Sequence, residues 1–281
     1  MLGHKAWQIL KDVHDVFITV KGNFSCIKKF GIFDKDRTYC GINAMEFSTV
    51  EKAIKDLKPG VILNCIGIVK QSKEAGDFVK ILEVNSIFPR KLSMLCDRAG
   101  AKLIHISTDC VFSGRKGAYT ERDYPDPIDS YGRTKFLGEV ICPDALTLRT
   151  SFIGHELGTR HSLLEWFLSQ RGRIVNGYSK AIYSGFPTII FCNILKDIIL
   201  RHRKLKGLYH IASSPIDKYS LLCLIKSTYK LDVEINKDSD FICNRSLNCR
   251  EFSRVTGFVP ERWEKMVKAM REDAEIYGRN L

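Results

Sequence analysis

The sequence predicts an α/β protein, a doubly wound parallel sheet followed by a smaller C-terminal lobe. Strand-like and helix-like segments alternate through the first 150 residues, and the strand-like ones include unbroken apolar runs such as Val61-Ile62-Leu63. Interleaving of this kind argues for parallel strands covered by helices on both faces. After Thr150 the alternation loosens into short strands between longer helices. This predicts a unit built on the parallel sheet over residues 1–150 and, over 151–281, a smaller lobe that returns one or two elements to the sheet.

Leu2, Ala6, Ile9, Leu10 and Val13 recur at helical spacing and predict an opening helix, with a strand over Val16–Val20 after it. Ser48-Thr49-Val50-Glu51 has the form of a capping box, so a helix is expected from there to Leu57, stopped by Pro59-Gly60. A buried strand over Val61–Ile66 comes next, then one long helix from about Phe78 to Arg98, which Gly100 ends. Strands follow over Lys102–Ser107 and Leu146–Arg149, with a helix starting near Tyr131 between them. In the lobe, Leu205–Ile211 and Val233–Ile235 separate helices near Pro187–His202, Tyr219–Tyr229 and Pro260–Met270. Trp166 and Phe167 read as core of a further lobe helix.

Composition narrows the function classes. Of 281 residues, 44% are hydrophobic and 27% charged, the balance of a chain that buries a core rather than one that stays disordered. Apolar runs stop far short of the roughly 18 residues that a membrane span needs, and the first residues do not form a secretory signal. The net charge of +12 points to an anionic partner or to a solvated basic surface. No basic helix with an aromatic platform accompanies it, which argues against nucleic acid. Arg201-His202-Arg203-Lys204 with Lys206 reads as a solvated helix end. The ten cysteines form no CxxC pair and no Cys/His cluster at zinc spacing. They read as reduced, mostly buried thiols of a cytosolic protein, and no metal site is expected. His105, inside an apolar strand, reads as a satisfied core histidine.

The strongest local signal is Ser107-Thr108-Asp109-Cys110-Val111-Phe112-Ser113-Gly114 followed by Tyr131-Gly132-Arg133-Thr134-Lys135. A strand ending at Ser107 delivers Ser107 and Thr108 to the carboxyl edge of the sheet, where ligands of such folds bind. Tyr131 and Lys135 are spaced i, i+4 and share a helix face. A cation beside a phenol favours the phenolate and draws the tyrosine pKa down towards working pH. Tyr131 is then a general acid for a carbonyl oxygen, and Thr108 can hold that oxygen by a hydrogen bond. A Tyr-x-x-x-Lys pair alone is often only a surface tyrosine over a lysine stem; the strand-end Ser-Thr gives it weight.

These segments resemble the extended short-chain dehydrogenase/reductases, in particular the dTDP-4-dehydrorhamnose reductase-like group. Further matching stretches are Leu63-Asn64-Cys65-Ile66-Gly67, Val84-Asn85-Ser86-Ile87-Phe88-Pro89, Leu148-Arg149-Thr150-Ser151, Gly185-Phe186-Pro187-Thr188 and Gly207-Leu208-Tyr209-His210. The resemblance implies a Rossmann-like fold and a catalytic set of Thr108, Tyr131 and Lys135. It implies that Lys135 also holds the nicotinamide ribose, that Cys65, Ile66, Gly67 and Ser107 line the cofactor, and that Asn85 supports the catalytic helix from beneath. Phe152 would face the sugar, and Arg245 the nucleotide half of the substrate. The implied reaction reduces the 4-keto group of a nucleotide-linked deoxysugar, with Tyr131 donating the proton. A homodimer is compatible with this reading.

Departures from the family pattern bear on these expectations. Cys110 stands where the family often has Tyr, and Phe152 where it often has Trp, which puts the sugar in question. A dinucleotide fold normally opens with a strand and a glycine-rich turn whose backbone N–H groups meet the pyrophosphate. Here Gly3 is all that matches such a turn, so the motif order implies that the first strand and most of the turn are missing, a start placed too far downstream. Lys21, after the Val16–Val20 strand, stands where an acidic residue would bind a ribose 2′-hydroxyl. A lysine suits a 2′-phosphate, so NADPH is expected, with NADH as the alternative; a solvated lysine is the plainer reading. A nucleotide-sugar epimerase or dehydratase on the same scaffold competes, though Asp109-Cys110 lacks the Asp-Glu pair that dehydratases usually need. So does a non-catalytic regulatory subunit like the beta subunit of methionine adenosyltransferase.

Overall fold

The computed structural model describes residues 1–277; Gly278, Arg279, Asn280 and Leu281, the end of the expected 151–281 lobe, lie outside the described residues. The chain runs α1 (Leu2–Leu10), β1 (Ile18–Val20), α2 (Ser25–Lys28), β2 (Thr38–Cys40), α3 (Phe47–Leu57), β3 (Val61–Asn64), α4 (Phe78–Leu82), α5 (Phe88–Ala99), β4 (Lys102–Thr108), α6 (Ser130–Leu137) and β5 (Ala145–Thr150). It continues through β6 (Phe152–Ile153), α7 (Leu163–Leu168), β7 (Ile174–Tyr183), β8 (Phe186–Pro187), α8 (Thr188–Arg201), β9 (Gly207–His210), β10 (Ile216–Asp217), α9 (Lys218–Tyr229), β11 (Glu234–Asn244), α10 (Arg250–Thr256) and α11 (Trp263–Glu272).

The central sheet has the order β3-β4-β5-β9, and every pairing in it is parallel. All six residues of β5 are buried, as a strand covered on both faces must be. β9, the Leu205–Ile211 segment, is the lobe element that returns to the sheet, pairing Leu146 with Gly207 and Arg149 with His210. β1 and β2 form a separate parallel pair, with Ile18 beside Thr38. The lobe adds a three-stranded sheet, β10-β7-β11, and a short β6-β8 pair. One apolar core runs through both halves: Leu2 and Ala6 of α1, Ile104 and Ile106 of β4, Leu146 and Leu148 of β5, Phe191 and Leu195 of α8 and Met266 and Val267 of α11 belong to it.

Several boundaries differ from expectation for identifiable reasons. The Ser48–Glu51 capping box does not form: α3 begins at Phe47 behind Glu46, without a side-chain cap. Thr49 does the local work instead, accepting the Asn43 N–H at 2.9 Å and donating to the Glu46 carbonyl at 2.7 Å. The single helix expected over 78–98 is two helices joined by a π-turn over Glu83–Ile87, a widening that periodicity cannot distinguish from regular helix. Gly100 does end α5, in the left-handed conformation at φ 66°. β3 stops at Asn64, because the Asn64 side chain turns back to accept the Ile66 N–H at 3.1 Å. Trp166 is 38% exposed while Phe167 is fully buried. The thiols are less buried than expected: Cys96 and Cys192 are buried, Cys26 and Cys40 exposed, and the other six intermediate. His105 is a core histidine, its Nδ1 3.1 Å from the Asn64 amide nitrogen.

Candidate active site

Parallel pairing of β4 with β3 and β5 brings Thr108, Asn64 and Thr150 to one edge of the central sheet, the carboxyl edge. Thr108 ends β4 and caps the turn after it, its hydroxyl accepting the Cys110 N–H at 3.1 Å. Asp109 is buried beside it, with Oδ1 3.1 Å from the Thr108 hydroxyl. Burial raises the Asp109 pKa, opposed by Arg245 and by hydrogen bonds from Thr108 and Cys110.

Helix α6 lies across this turn. Asp129 caps it by accepting the Gly132 N–H at 2.8 Å, so Tyr131 falls in the first turn and Lys135 one turn later. Two glycines permit the approach. A Cβ on Gly132 would lie 2.2 Å from the Cys110 carbonyl oxygen, and one on Gly138 only 1.9 Å from the carbonyl oxygen of Asn85. Asn85 sits in the π-turn and binds both backbone groups of Ile68, accepting its N–H at 2.9 Å and donating to its carbonyl at 3.0 Å. It also reaches the Thr134 hydroxyl at 3.4 Å, while Ser86 donates to the Thr134 carbonyl at 2.7 Å. The π-turn therefore fixes both the loop that carries Ile66 and Gly67 and the helix that carries Tyr131.

The geometry sets the electrostatics. Burial drives the Tyr131 pKa well above the ordinary value of 10, the reverse of the lowering expected from a neighbouring lysine; nearby Cys110, Asp109 and Asp129 push the same way, and the Thr108 hydroxyl opposes them. Lys135 is buried and donates to the Ile106 carbonyl at 2.7 Å. Desolvation takes its pKa down to about 8, against the opposing pull of Glu139 and Cys65. Burial pushes the thiols of Cys65 and Cys110 up, to about 12 and about 11, so neither is a nucleophile at neutral pH.

The structure brings some of the expected residues together and leaves others apart. Tyr131 lies near Thr108 at the sheet edge, while Lys135, one turn further along α6, reaches the Ile106 carbonyl within β4. Gly3, in the first turn of α1, approaches Cys65 at the end of β3, where a Cβ on Gly3 would stand 3.7 Å from that of Cys65. Ser107 points the other way from Thr108 and donates to Glu139 at 2.7 Å. Arg245 donates to the Phe112 carbonyl at 2.9 Å and lies 3.6 Å from the Cys110 sulfur. Phe152 packs on Phe191, ring centres 4.8 Å apart. Lys21 follows β1 and is exposed to solvent.

Other residues of this region carry no role in the motif reading. Asp109 supports Thr108, Asp129 caps the helix, and Lys70 reaches over from the loop after β3 to pair with Asp129 at 2.5 Å. Asp129 was open to detection, since an Asp-Ser before Tyr131 is a helix-start signature. For Lys70 the sequence holds no signal, because only tertiary folding brings the loop across α6.

Comparison with known proteins agrees with this architecture. The family model described as the RmlD substrate binding domain matches residues 29–276. The chain belongs to the RmlD substrate-binding-domain family. Among curated relatives it is similar to the dTDP-4-dehydrorhamnose reductase of Aggregatibacter actinomycetemcomitans, 24% identical over 264 residues, 83% of this chain and 90% of that one. It is also similar to methionine adenosyltransferase 2 subunit beta of Danio rerio, 26% identical over 73% of this chain and 69% of that one. Among solved structures, the dTDP-4-dehydrorhamnose reductase of Bacillus anthracis in complex with NADP shares the fold, with a TM-score of 0.73 and 21% identity over 92% of this chain and 98% of that one. Among the described residues no helix is long and apolar enough to cross a membrane.

Proposed function

We propose that this chain is an NADPH-dependent reductase, with NADH as the alternative, acting on the 4-keto group of a nucleotide-linked deoxysugar. The observation that carries the reading is the Thr108–Tyr131–Lys135 constellation at the carboxyl end of β4, in a chain of this family. The residues fit a nicotinamide dinucleotide: Gly3, exposed in the first turn of α1, stands beside Cys65 after β3, and no side chain caps that helix. The cofactor supplies the hydride. Cys65, Ile66 and Gly67 would line it, with Ser107 contributing through its backbone because its hydroxyl is given to Glu139; Lys135 would hold the nicotinamide ribose, and Lys21 would meet a 2′-phosphate.

Thr108 holds the substrate carbonyl oxygen against Tyr131. The Tyr131 O–H bond breaks as the carbonyl carbon gains the hydride, so the proton passes to the oxygen and a phenolate is left, to be reprotonated from solvent. The raised pKa of Tyr131 keeps the phenol protonated before the step. Phe152 would face the sugar and Arg245 the nucleotide half. The division into a dinucleotide unit over 1–150 and a substrate lobe from 151 onward belongs to the same reading. Loss of NADPH absorbance on mixing with a 4-keto nucleotide sugar tests it. Tyr131→Phe abolishes turnover with the fold intact; turnover unchanged in that variant rejects the assignment.

A second reading, a regulatory subunit, is favoured by the likeness to methionine adenosyltransferase 2 subunit beta and by the engagement of Lys135 with the Ile106 carbonyl. It predicts no turnover of any 4-keto nucleotide sugar, together with a measurable change in the activity of a catalytic partner.

A further inference from the structure

Two lysines of this region, Lys70 and Lys135, stand on different elements. Lys135 lies on α6 itself, buried, with Nζ on the Ile106 carbonyl. Lys70 lies on the loop after β3, and its Nζ stands 5.7 Å from the centre of the Tyr131 ring, within the range at which a cation interacts with an aromatic face. Its position is fixed twice. Asp129 holds the ammonium at 2.5 Å with Oδ2 while its Oδ1 caps α6 at Gly132, so cation and phenol are tied to the same helix turn. Asn85 pins the loop two residues earlier through both backbone groups of Ile68.

We propose that Lys70 is a positioning residue for the reductase step, a second cation that stabilises the Tyr131 phenolate formed when the proton leaves. The proposal rests on the reductase reading. Lys70 gives up no proton; it stays over the ring while the negative charge appears on the phenol oxygen. Its role follows from the other charges around Tyr131. The segment after β4 contributes Thr108, Asp109 and Cys110, the start of α6 contributes Asp129, and the far end of that helix contributes Lys135. The lobe contributes Arg245, whose field reaches Cys110 and Asp129. Asp109, Asp129 and Cys110 all oppose a phenolate, and Lys135 is hydrogen-bonded to the backbone. Lys70 is the cation placed over the ring face, and Asp129 keeps it there at the cost of some of its field.

The test compares Lys70→Met, Lys70→Gln and Lys70→Arg with the parent chain. An opposite charge within about 4–6 Å of an ionisable group favours the ionised form by about one pKa unit or more, and Lys70 Nζ lies 5.7 Å from the centre of the ring that carries the phenol. The expected result with a 4-keto nucleotide sugar and NADPH is therefore a kcat about tenfold lower for K70M and K70Q, with KM within about twofold, and a K70R value near the parent's. An unchanged kcat, or a loss confined to KM, overturns the proposal while the reductase reading stands. If the parent chain turns over no such sugar, the reductase reading fails by itself, and the phenol is read directly. Chains carrying 3,5-difluorotyrosine are titrated by fluorine NMR, following the resonance that Tyr131→Phe removes. A midpoint raised by about one unit in K70M supports the cation role, and an unmoved midpoint overturns it.

Discussion

Arg149 grips Glu139 with two parallel hydrogen bonds, Nε to Oε1 and Nη2 to Oε2, both at 2.7 Å, and both side chains are 4% exposed. The pair joins β5 to the segment after α6, and it is fully connected. Ser107 donates to Glu139 from β4, and the Arg149 Nη1 lies 3.2 Å from His210 Nε2 on β9. His210 in turn has Nδ1 3.0 Å from the Tyr119 carbonyl. Burial, with the Arg149 charge beside it, takes the His210 pKa down to about 3, so the ring is neutral and leaves the cation to Glu139.

Removing one partner strands a buried charge, which typically costs about 3–5 kcal/mol. Glu139→Gln and Arg149→Met are each expected to lower stability by that amount in urea unfolding. Replacing both by apolar residues of similar volume costs less than the sum of the two. Additive losses would show that the two side chains act independently.

The two close glycines of α6 make a prediction about activity. An alanine methyl at 138 meets the Asn85 carbonyl oxygen at 1.9 Å, a distance no packing tolerates, so α6 must move away from the π-turn. Overpacking of this kind costs about 1–3 kcal/mol, and the shift displaces Tyr131 and Lys135 from Thr108. Gly138→Ala is expected to lose most turnover with a stability loss in that range. Gly60→Ala, where nothing lies within 4 Å, serves as the control and should be near neutral in both.

The legible parts of this molecule are those written locally. Apolar runs located β3, β4 and β5, and i, i+4 spacing put Tyr131 and Lys135 on one helix. What escaped was set by contacts between distant segments. The π-turn at Glu83–Ile87 exists where Asn85 and Ser86 meet α6 and the Ile68 loop, and Glu139 pairs with an arginine ten residues on, across a strand boundary. The Ser48 box failed because Thr49 found a partner in Asn43, a competition between neighbouring hydroxyls that a pattern of residue types does not rank. Lys70 reaches Asp129 over 59 residues of sequence, with no periodicity to announce it.

Lys135 links pH to both stability and activity. Its pKa falls from 10.5 in the unfolded chain to about 8 in the fold, burial being the main cause. Below pH 8 both states carry the proton, and the fold bears the full cost of a buried ammonium. Between pH 8 and 10.5 the unfolded chain binds more protons than the native one, so this residue's contribution to stability rises with pH. The whole effect is on the order of 3 kcal/mol. Lys135→Met should therefore gain stability relative to the parent at pH 7, and the gap should close towards pH 10 in paired unfolding curves. On the reductase reading activity runs oppositely, since Lys135 is proposed to present an ammonium to the phenol and the ribose. The parent's turnover should fall above about pH 8, and a rate flat from pH 7 to 9.5 would refute the requirement for charge.

Lys5 and Asp273 form a second buried ion pair, Nζ to Oδ1 at 2.6 Å, with side chains 0% and 4% exposed. It fastens α1 to the turn after α11, and the Lys5 ammonium also stands 4.9 Å from the Tyr277 ring. The same helix presents Gly3 to Cys65, so the pair positions the end of α1 that would receive the cofactor pyrophosphate. Lys5→Met leaves the Asp273 carboxylate buried and is expected to cost about 3–5 kcal/mol. Lys5→Met with Asp273→Leu removes both charges and should recover a large part of that. If the link to α1 also serves the cofactor, the double variant, though stably folded, binds NADPH more weakly than the parent by calorimetry. Equal affinity would confine the pair to stability alone.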